Sequence, residues 1–421
     1  MLMQIEGSRA MAKAIGLCRP EVICAYPITP QTHIVEGLGE MVRTGELKNC
    51  EFINVESEFA ALSVAIGASA AGARAYTATA SQGLLFMAEA VYNASGLGLP
   101  IVMTLGNRAI GAPINIWNDH SDAMSMRDAG WLQLFAETNQ EAVDLHIQAF
   151  RIAEELSMPI MVCVDGFILT HAVERIEIPD QAMVDAFLPP YDPIQVLDPN
   201  DPISIGAMVG PEAFTEVRYL QHHKQTLALD LLPKLAEEFK SRFGRESGGL
   251  LRTYRTEDAD LLVVALGSVN GTIKDTIDEM RADGIRIGLV TLVSFRPFPT
   301  EALRAALTGT AHVVVVEKSF AIGMGGQLAN NIDLALRNLP GAPHVHSAVA
   351  GLGGRSITRP SLHRLFRQAL DQPWAGVHFL DLNDDLVAKE LEHMGRMRRS
   401  GPTAENLLKH LSGYARPEAA E

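Results

Sequence analysis

The chain has 421 residues, 47% of them apolar and 20% charged, a balance that excludes a disordered or fibrous protein and leaves room for two hydrophobic cores. Its net charge of −15 opposes polyanionic partners, so no nucleic-acid partner is expected. No apolar run reaches the roughly 18 residues of a membrane span, and residues 1–16 lack the basic segment and apolar run of a secretory signal, so a cytoplasmic protein is expected. The four cysteines, Cys18, Cys24, Cys50 and Cys163, form no C-x-x-C pair. A disulfide framework, a zinc site or an iron–sulfur cluster on this chain is therefore not expected, and no metal ligand is assigned.

In chain order, short apolar runs at 21–25, 52–55, 75–78, 101–105 and 160–164 are bounded by turn residues and predict buried strands. Segments with helical spacing at 30–42, 57–71, 84–95 and 141–156 alternate with them. That alternation predicts a parallel sheet with helices on both faces, in a first domain over 1–190. Residues 191–258 open on a run of prolines, Pro193, Pro199, Pro202 and Pro211, and continue into a charged stretch at 224–240 whose apolar spacing is helical. They predict a connector with a helix in it. Strands near 261–266, 285–292, 313–316 and 377–380 predict a second α/β domain over 259–385. Residues 386–421 read as a charged helical tail, with Arg396, Arg398 and Arg399 clustered and 415–421 frayed.

Chemistry is expected at strand-to-helix junctions, because open parallel sheets bind ligands beyond the carboxyl ends of their strands, where helix N-termini offer free N–H groups. Thr29 before Pro30 has the form of a helix cap followed by a first-turn proline, and the local sequence leaves it open between cap and ligand contact. Glu58 opens a helix of small residues, where the helix dipole alone accounts for an acid. Arg108 ends a strand; a lone arginine there is ordinarily a surface charge, but its planar fork can clamp a carboxylate. Asp119-His120-Ser121-Asp122 reads as a polar loop rather than a metal site, because contiguous loop residues rarely converge on one ion, and His120 is given no catalytic role.

Tyr26-Pro27-Ile28-Thr29-Pro30, Glu56-Ser57-Glu58, Thr79-Ala80-Ser81-Gln82-Gly83 and Gly106-Asn107-Arg108-Ala109 follow one another in an order and spacing that closely resemble the 2-oxoacid:ferredoxin oxidoreductases, pyruvate:ferredoxin oxidoreductase above all. The resemblance continues through residues 112–122 and covers nearly the whole chain. It implies a doubly wound domain that binds the pyrimidine side of thiamine diphosphate, followed by a transketolase C-terminal-like α/β domain concerned with assembly. By that resemblance Thr29 and Arg108 bind the carboxylate of the 2-oxoacid. Tyr26, Pro27, Ile28, Thr29 and Glu58 meet the cofactor, and Glu58 is the acid beside its aminopyrimidine ring, with Glu56 the second choice.

Thiamine enzymes hold the diphosphate through Mg²⁺ bound by Gly-Asp-Gly, a motif this chain lacks; Val164-Asp165-Gly166-Phe167 is the nearest fragment and reads as a strand end. The resemblance therefore implies a partner β subunit with the Mg²⁺ and diphosphate site, and γ/δ-type subunits carrying [4Fe-4S] clusters and a coenzyme A domain. The implied reaction converts pyruvate, coenzyme A and oxidised ferredoxin to acetyl-CoA, carbon dioxide and reduced ferredoxin, reversibly. The same chemistry on a branched-chain or other small 2-oxoacid is one alternative. A non-catalytic nucleotide-binding scaffold built on Gly323-Met324-Gly325-Gly326 is another, although a short glycine cluster is a weak phosphate signal.

Overall fold

The computed structural model describes residues 1–372, 374–396 and 401–412, so Arg398, Arg399 and the segment 415–421 lie outside the described residues. Its strands are β1 (Leu2–Glu6), β2 (Val22–Ala25), β3 (Glu51–Asn54), β4 (Ala75–Thr79), β5 (Val102–Asn107), β6 (Leu132–Phe135), β7 (Ile160–Asp165) and β8 (Val173–Glu177). They continue as β9 (Leu251–Tyr254), β10 (Leu261–Ala265), β11 (Ile287–Leu292), β12 (Ser294–Arg296), β13 (His312–Glu317), β14 (His344–Val349) and β15 (Val377–Phe379). Among the described residues no helix is long and apolar enough to cross a membrane.

The α/β class is as expected. One sheet has the order β12-β6-β7-β5-β4-β2-β3 and a second the order β15-β14-β13-β10-β11-β9. All pairings in both are parallel except those of the edge strands β12 and β9. In the first sheet the chain steps outward from β2 to β3, then returns to lay β4 on the other side of β2. The strand order therefore reverses between β2 and β4, and it is beyond the carboxyl ends at such a switch point that open parallel sheets form a ligand crevice.

Burial explains which strands could be read. β5 and β7 are buried along their whole length, as strands covered by helices on both faces must be. The sequence reading singles out none of β1, β6, β8, β9, β12 or β14. β1 and β8 mix polar and apolar residues in a two-stranded ribbon, and β12 has three residues. Helix boundaries also move: the segment expected at 84–95 is two helices, Ser81–Phe86 and Ala88–Leu97, joined at Met87. The 30-residue helix Phe214–Phe243 buries Ala228, Leu232, Leu235, Phe239 and Phe243, a stripe at helical spacing. It lies over the first core with helix Asn139–Leu156, and Phe187 meets Phe239 edge to face at 5.5 Å.

The two sheets are joined by a continuous core in which Trp131, Phe135 and Met161 on the side of the first share one cluster with Leu262, Val290 and Val315 of the second. A buried polar clasp sits at its rim. Asp165, at the end of β7, lies 2.7 Å from His120 Nε2 and 2.7 Å from Lys318 Nζ, and accepts the Ser268 N–H at 2.8 Å. Lys318 also donates to Asn118 Oδ1 at 3.1 Å, and its carbonyl accepts the His120 N–H at 2.8 Å. Burial alone would raise the Asp165 carboxyl, but Lys318 and then His120 hold it well below the usual carboxylate range. A depressed folded value means that this stabilisation is full above pH about 4 and is lost as pH falls through the folded value.

Lys318→Met leaves Asp165 buried without its cation and should cost about 3–5 kcal/mol, read as a lowered unfolding midpoint. Adding Asp165→Leu removes the stranded charge and should recover part of the loss. A single variant as stable as wild type would show the clasp to be dispensable.

Candidate active site

Loop and strand-end residues build the crevice at the carboxyl ends of β2, β4 and β5. Thr29 does not cap the helix that follows it: that helix is Thr32–Thr44, with Gln31 at the cap position, so the local cap reading is corrected. Pro30 and Gln31 are buried while Tyr26, Pro27 and Thr29 are exposed, so the turn presents its first residues outward and anchors through its last. Gln31 Nε2 donates to Tyr26 O at 3.0 Å and to Ala78 O at 3.4 Å, stitching β2 to β4. Its Oε1 is buried and has no hydrogen-bond partner.

Glu58 and Glu56 separate clearly. Ser57 caps helix Glu58–Ala70, its hydroxyl accepting the Ala60 N–H at 3.2 Å. Glu56 is exposed, whereas Glu58 is 8% exposed and turned toward the start of helix Ser81–Phe86. Gly83 makes this approach possible, because a Cβ there would stand 2.7 Å from Glu58 Oε1 and 2.6 Å from Thr79 Oγ1. Thr79 Oγ1 and Thr77 Oγ1 are buried without partners.

Arg108 meets Thr29 directly. Its Nη1 donates to Thr29 O at 3.0 Å and its Nε to Asn115 O at 3.1 Å. No carboxylate pairs with this guanidinium among the described residues, although it is only 7% exposed. Burial pulls its pKa below the ordinary arginine value, opposed by the nearby Asp122. The structure thus brings Thr29 and Arg108 together at one strand-end junction and leaves the arginine fork facing no anion of its own.

The sequence reading misses the residue that organises these junctions. Asp119-His120-Ser121-Asp122 is not a solvated polar loop: Asp119, His120 and Asp122 are 5%, 1% and 0% exposed. Asp122 accepts the N–H groups of Ser81 at 3.0 Å, Arg108 at 3.0 Å and Ala123 at 2.8 Å, and the Asn107 amide at 2.9 Å. Burial pushes its carboxyl up to about 6, against the Asn107, Ser81 and Arg108 donors, which favour the ionised form, and with the nearby Asp119. The ends of β4 and β5 are therefore held by one carboxylate.

The glycine turns of the second sheet are occupied from within. Glu317, at the end of β13, accepts the N–H groups of Leu328 at 2.7 Å and Ala329 at 3.1 Å, filling the N-terminus of helix Gln327–Leu336 where a phosphate would bind. Gly353 and Gly354 have φ of 58° and 82° and dock on the first domain. The Gly353 N–H donates to Asp119 at 3.0 Å, and a Cβ on Gly354 would lie 2.4 Å from Trp117. The four cysteines are free, and burial raises each thiol, Cys24 to about 11 and Cys50 to about 12. None is a ready thiolate nucleophile.

Residues 13–231 match the family model for pyruvate flavodoxin/ferredoxin oxidoreductase, thiamine diphosphate binding, and residues 259–362 match that for pyruvate:ferredoxin oxidoreductase core domain II. The chain belongs to the pyruvate:ferredoxin oxidoreductase family. It is 46% identical over 390 residues to pyruvate synthase subunit PorA of Methanosarcina barkeri, covering 91% of this chain and 97% of that one. Ketoisovalerate oxidoreductase subunit VorA of Pyrococcus horikoshii is 39% identical over 355 residues, 84% of this chain and 90% of that one. The fold is also that of a solved 2-oxoglutarate:ferredoxin oxidoreductase from Magnetococcus marinus, with a TM-score of 0.66 at 18% identity, covering 88% of this chain and 65% of that one. Family membership makes the chain an oxidoreductase subunit, and with Glu317 filling the glycine turn the nucleotide-scaffold alternative has no site to rest on.

Proposed function

We propose that this chain is the α subunit of a multi-subunit pyruvate:ferredoxin oxidoreductase and supplies the aminopyrimidine side of its thiamine diphosphate site. The observation that carries the reading is Glu58, a buried residue whose carboxyl group lies against Gly83 and has no hydrogen-bond partner among the described residues. A carboxylic acid at the mouth of a crevice, beside the unpartnered hydroxyl of Thr79, fits a heterocycle that can share its proton. The exposed Tyr26 and Pro27 and the half-buried Ile28 form the edge on which the ring would rest.

When bound, thiamine diphosphate supplies a nucleophilic carbon and an electron sink for loss of carbon dioxide. Glu58 holds the proton at its carboxyl oxygen that fixes the tautomer of the aminopyrimidine. Arg108, desolvated and without an anion of its own, binds the carboxylate of the 2-oxoacid with the Thr29 hydroxyl beside it. Asp122 acts behind both by holding the Arg108 backbone and the Ser81 turn. Pyruvate is the favoured substrate, since the pyruvate synthase relative exceeds the ketoisovalerate relative in identity and coverage; a branched-chain 2-oxoacid is the second reading.

The other half of the site belongs to a partner chain. Phe59, Phe86 and Tyr92 are 38%, 61% and 42% exposed around the helices that flank Glu58, and Ser63, Gly67 and Gly96 leave the same face flat. Such a face suits close packing against a β subunit bearing the Mg²⁺ and diphosphate site, with the [4Fe-4S] clusters, the coenzyme A domain and the contact with ferredoxin on further chains.

In the assembled complex Glu58→Gln should preserve assembly and slow cofactor deprotonation by roughly 10² or more, measured as exchange of the thiazolium proton. Wild-type turnover in that variant would remove Glu58 from the mechanism. Arg108→Ala should lower kcat/KM for pyruvate by on the order of 2–4 kcal/mol, and Arg108→Lys should restore only part, because an ammonium cannot reproduce the fork. Unchanged pyruvate kinetics in both variants would make Arg108 structural. The purified chain should be colourless and inactive until a Gly-Asp-Gly subunit and the cluster-bearing chains are added; pyruvate decarboxylation by the chain alone would refute the shared site.

A further inference from the structure

Away from the crevice mouth, three side chains able to bind metal meet from distant parts of the chain. Glu6 ends β1, His33 stands in the first turn of helix Thr32–Thr44, and His171 lies in the turn between β7 and β8. The antiparallel pairing of β1 with β8 sets Glu6 opposite Val173, two residues from His171. The Ser8 N–H donates to Thr170 O at 2.9 Å and fastens the turn in place. Each of the three residues offers one ligand atom, and these atoms all lie within 4.8 Å of one another. The two imidazole rings stand 4.9 Å apart, centre to centre.

Each ring already has one nitrogen held by an oxygen. His33 Nδ1 is 2.7 Å from Glu6 Oε1, and His171 Nδ1 is 2.7 Å from Thr170 Oγ1, which also accepts the Phe167 N–H at 2.8 Å. On His171 the Thr170 hydroxyl holds Nδ1 and leaves Nε2 for a cation, the way metal-binding histidines are oriented by oxygens behind them, whereas His33 offers Nδ1, the nitrogen that already faces the Glu6 carboxylate. Glu6 pairs with no lysine or arginine among the described residues, so the cluster has acceptors and a negative charge without a fixed cation.

We propose that Glu6, His33 and His171 bind a divalent transition-metal ion of the zinc type. Two imidazole nitrogens and one carboxylate oxygen suit that class, whereas Mg²⁺ and Ca²⁺ take shells of oxygen, and three protein ligands leave a fourth position for water. Neighbouring ligand atoms around such an ion stand roughly 3.3 Å apart, so the most widely spaced pair must close by at most about 1.5 Å. The Glu6 and His33 side chains are 24% and 40% exposed and can move that far by rotamer change. The ion would act as a clamp. His33 lies four positions beyond Thr29, and His171 packs on Phe167 at 4.8 Å, which packs on Trp117 at 4.9 Å in the loop whose Asn115 carbonyl holds Arg108.

The test is titration of the chelator-treated full chain with CoCl₂, followed by visible absorption, and with ZnCl₂, followed by calorimetry. One equivalent should bind with the d–d absorption of four-coordinate cobalt, and MgCl₂ should not compete. His33→Ala and His171→Ala should each weaken binding at least about tenfold, and Glu6→Gln, which keeps a partner for His33 while removing the charge, should weaken it as well. Replacing the exposed pair His222 and His223 by alanine should leave binding unchanged. Absence of saturable cobalt binding by the wild type, wild-type binding in all three cluster variants, or loss of binding in the His222 and His223 control would overturn the proposal.

Discussion

The loop 118–122 is buried where the two sheets meet, and the rest of the structure depends on satisfying its polar groups. Asp122 takes four N–H donors from the ends of β4 and β5 and from its own helix, while Asn118 and His120 join Asp165 and Lys318 in the clasp between the sheets. β5 and β7 are in register at Asn107 and Asp165, so the two polar residues at neighbouring strand ends both reach into this loop. A buried donor or acceptor left unpaired costs more than a typical hydrogen bond contributes, so none of these elements can shift alone. The position of Arg108 is inherited from that constraint.

Around this densely hydrogen-bonded hub, in which Asn107 Oδ1 and Asn118 Nδ2 still lack partners, the crevice mouth leaves acidic and basic groups unpaired as well. Glu58, Thr79 Oγ1 and Gln31 Oε1 are buried but unpartnered, and the Arg108 guanidinium faces no carboxylate. Acidic and basic groups, buried and oriented yet not paired with one another, describe a surface prepared for a polar ligand rather than for stability. Gly83 shows how closely it is built, since any side chain there would collide with Glu58 and Thr79. The exposed Phe59, Phe86 and Tyr92 on the flanking helices give the same half-finished impression at larger scale, as apolar area without a cover.

Much of the fold was legible because parallel strands buried on both faces must be apolar throughout, and the helices that connect them must carry a stripe. β2, β4, β5, β7, β10, β11 and β13 announce themselves in that way. β1 and β8 do not, since an exposed ribbon tolerates a mix of polar and apolar residues, and β12 is too short to show a period. Glu317 was equally hidden: an acid at a strand end gives no sign that it fills the N-terminus of a helix ten residues later.

The sequence by itself determined the element types, the family, and the residue types at the strand-to-helix junctions, because each of these is written in local spacing or in motif order. Only the tertiary structure decided which residues share an environment. It separated the buried Glu58 from the exposed Glu56, set the Arg108 fork on the Thr29 carbonyl, and converted a loop that reads as polar surface into the hub beneath them. It also gathered Glu6, His33 and His171, which no spacing rule connects. The physical reason is the same in each case: burial and hydrogen bonding between residues far apart in the chain depend on sheet order and register, and local sequence carries neither.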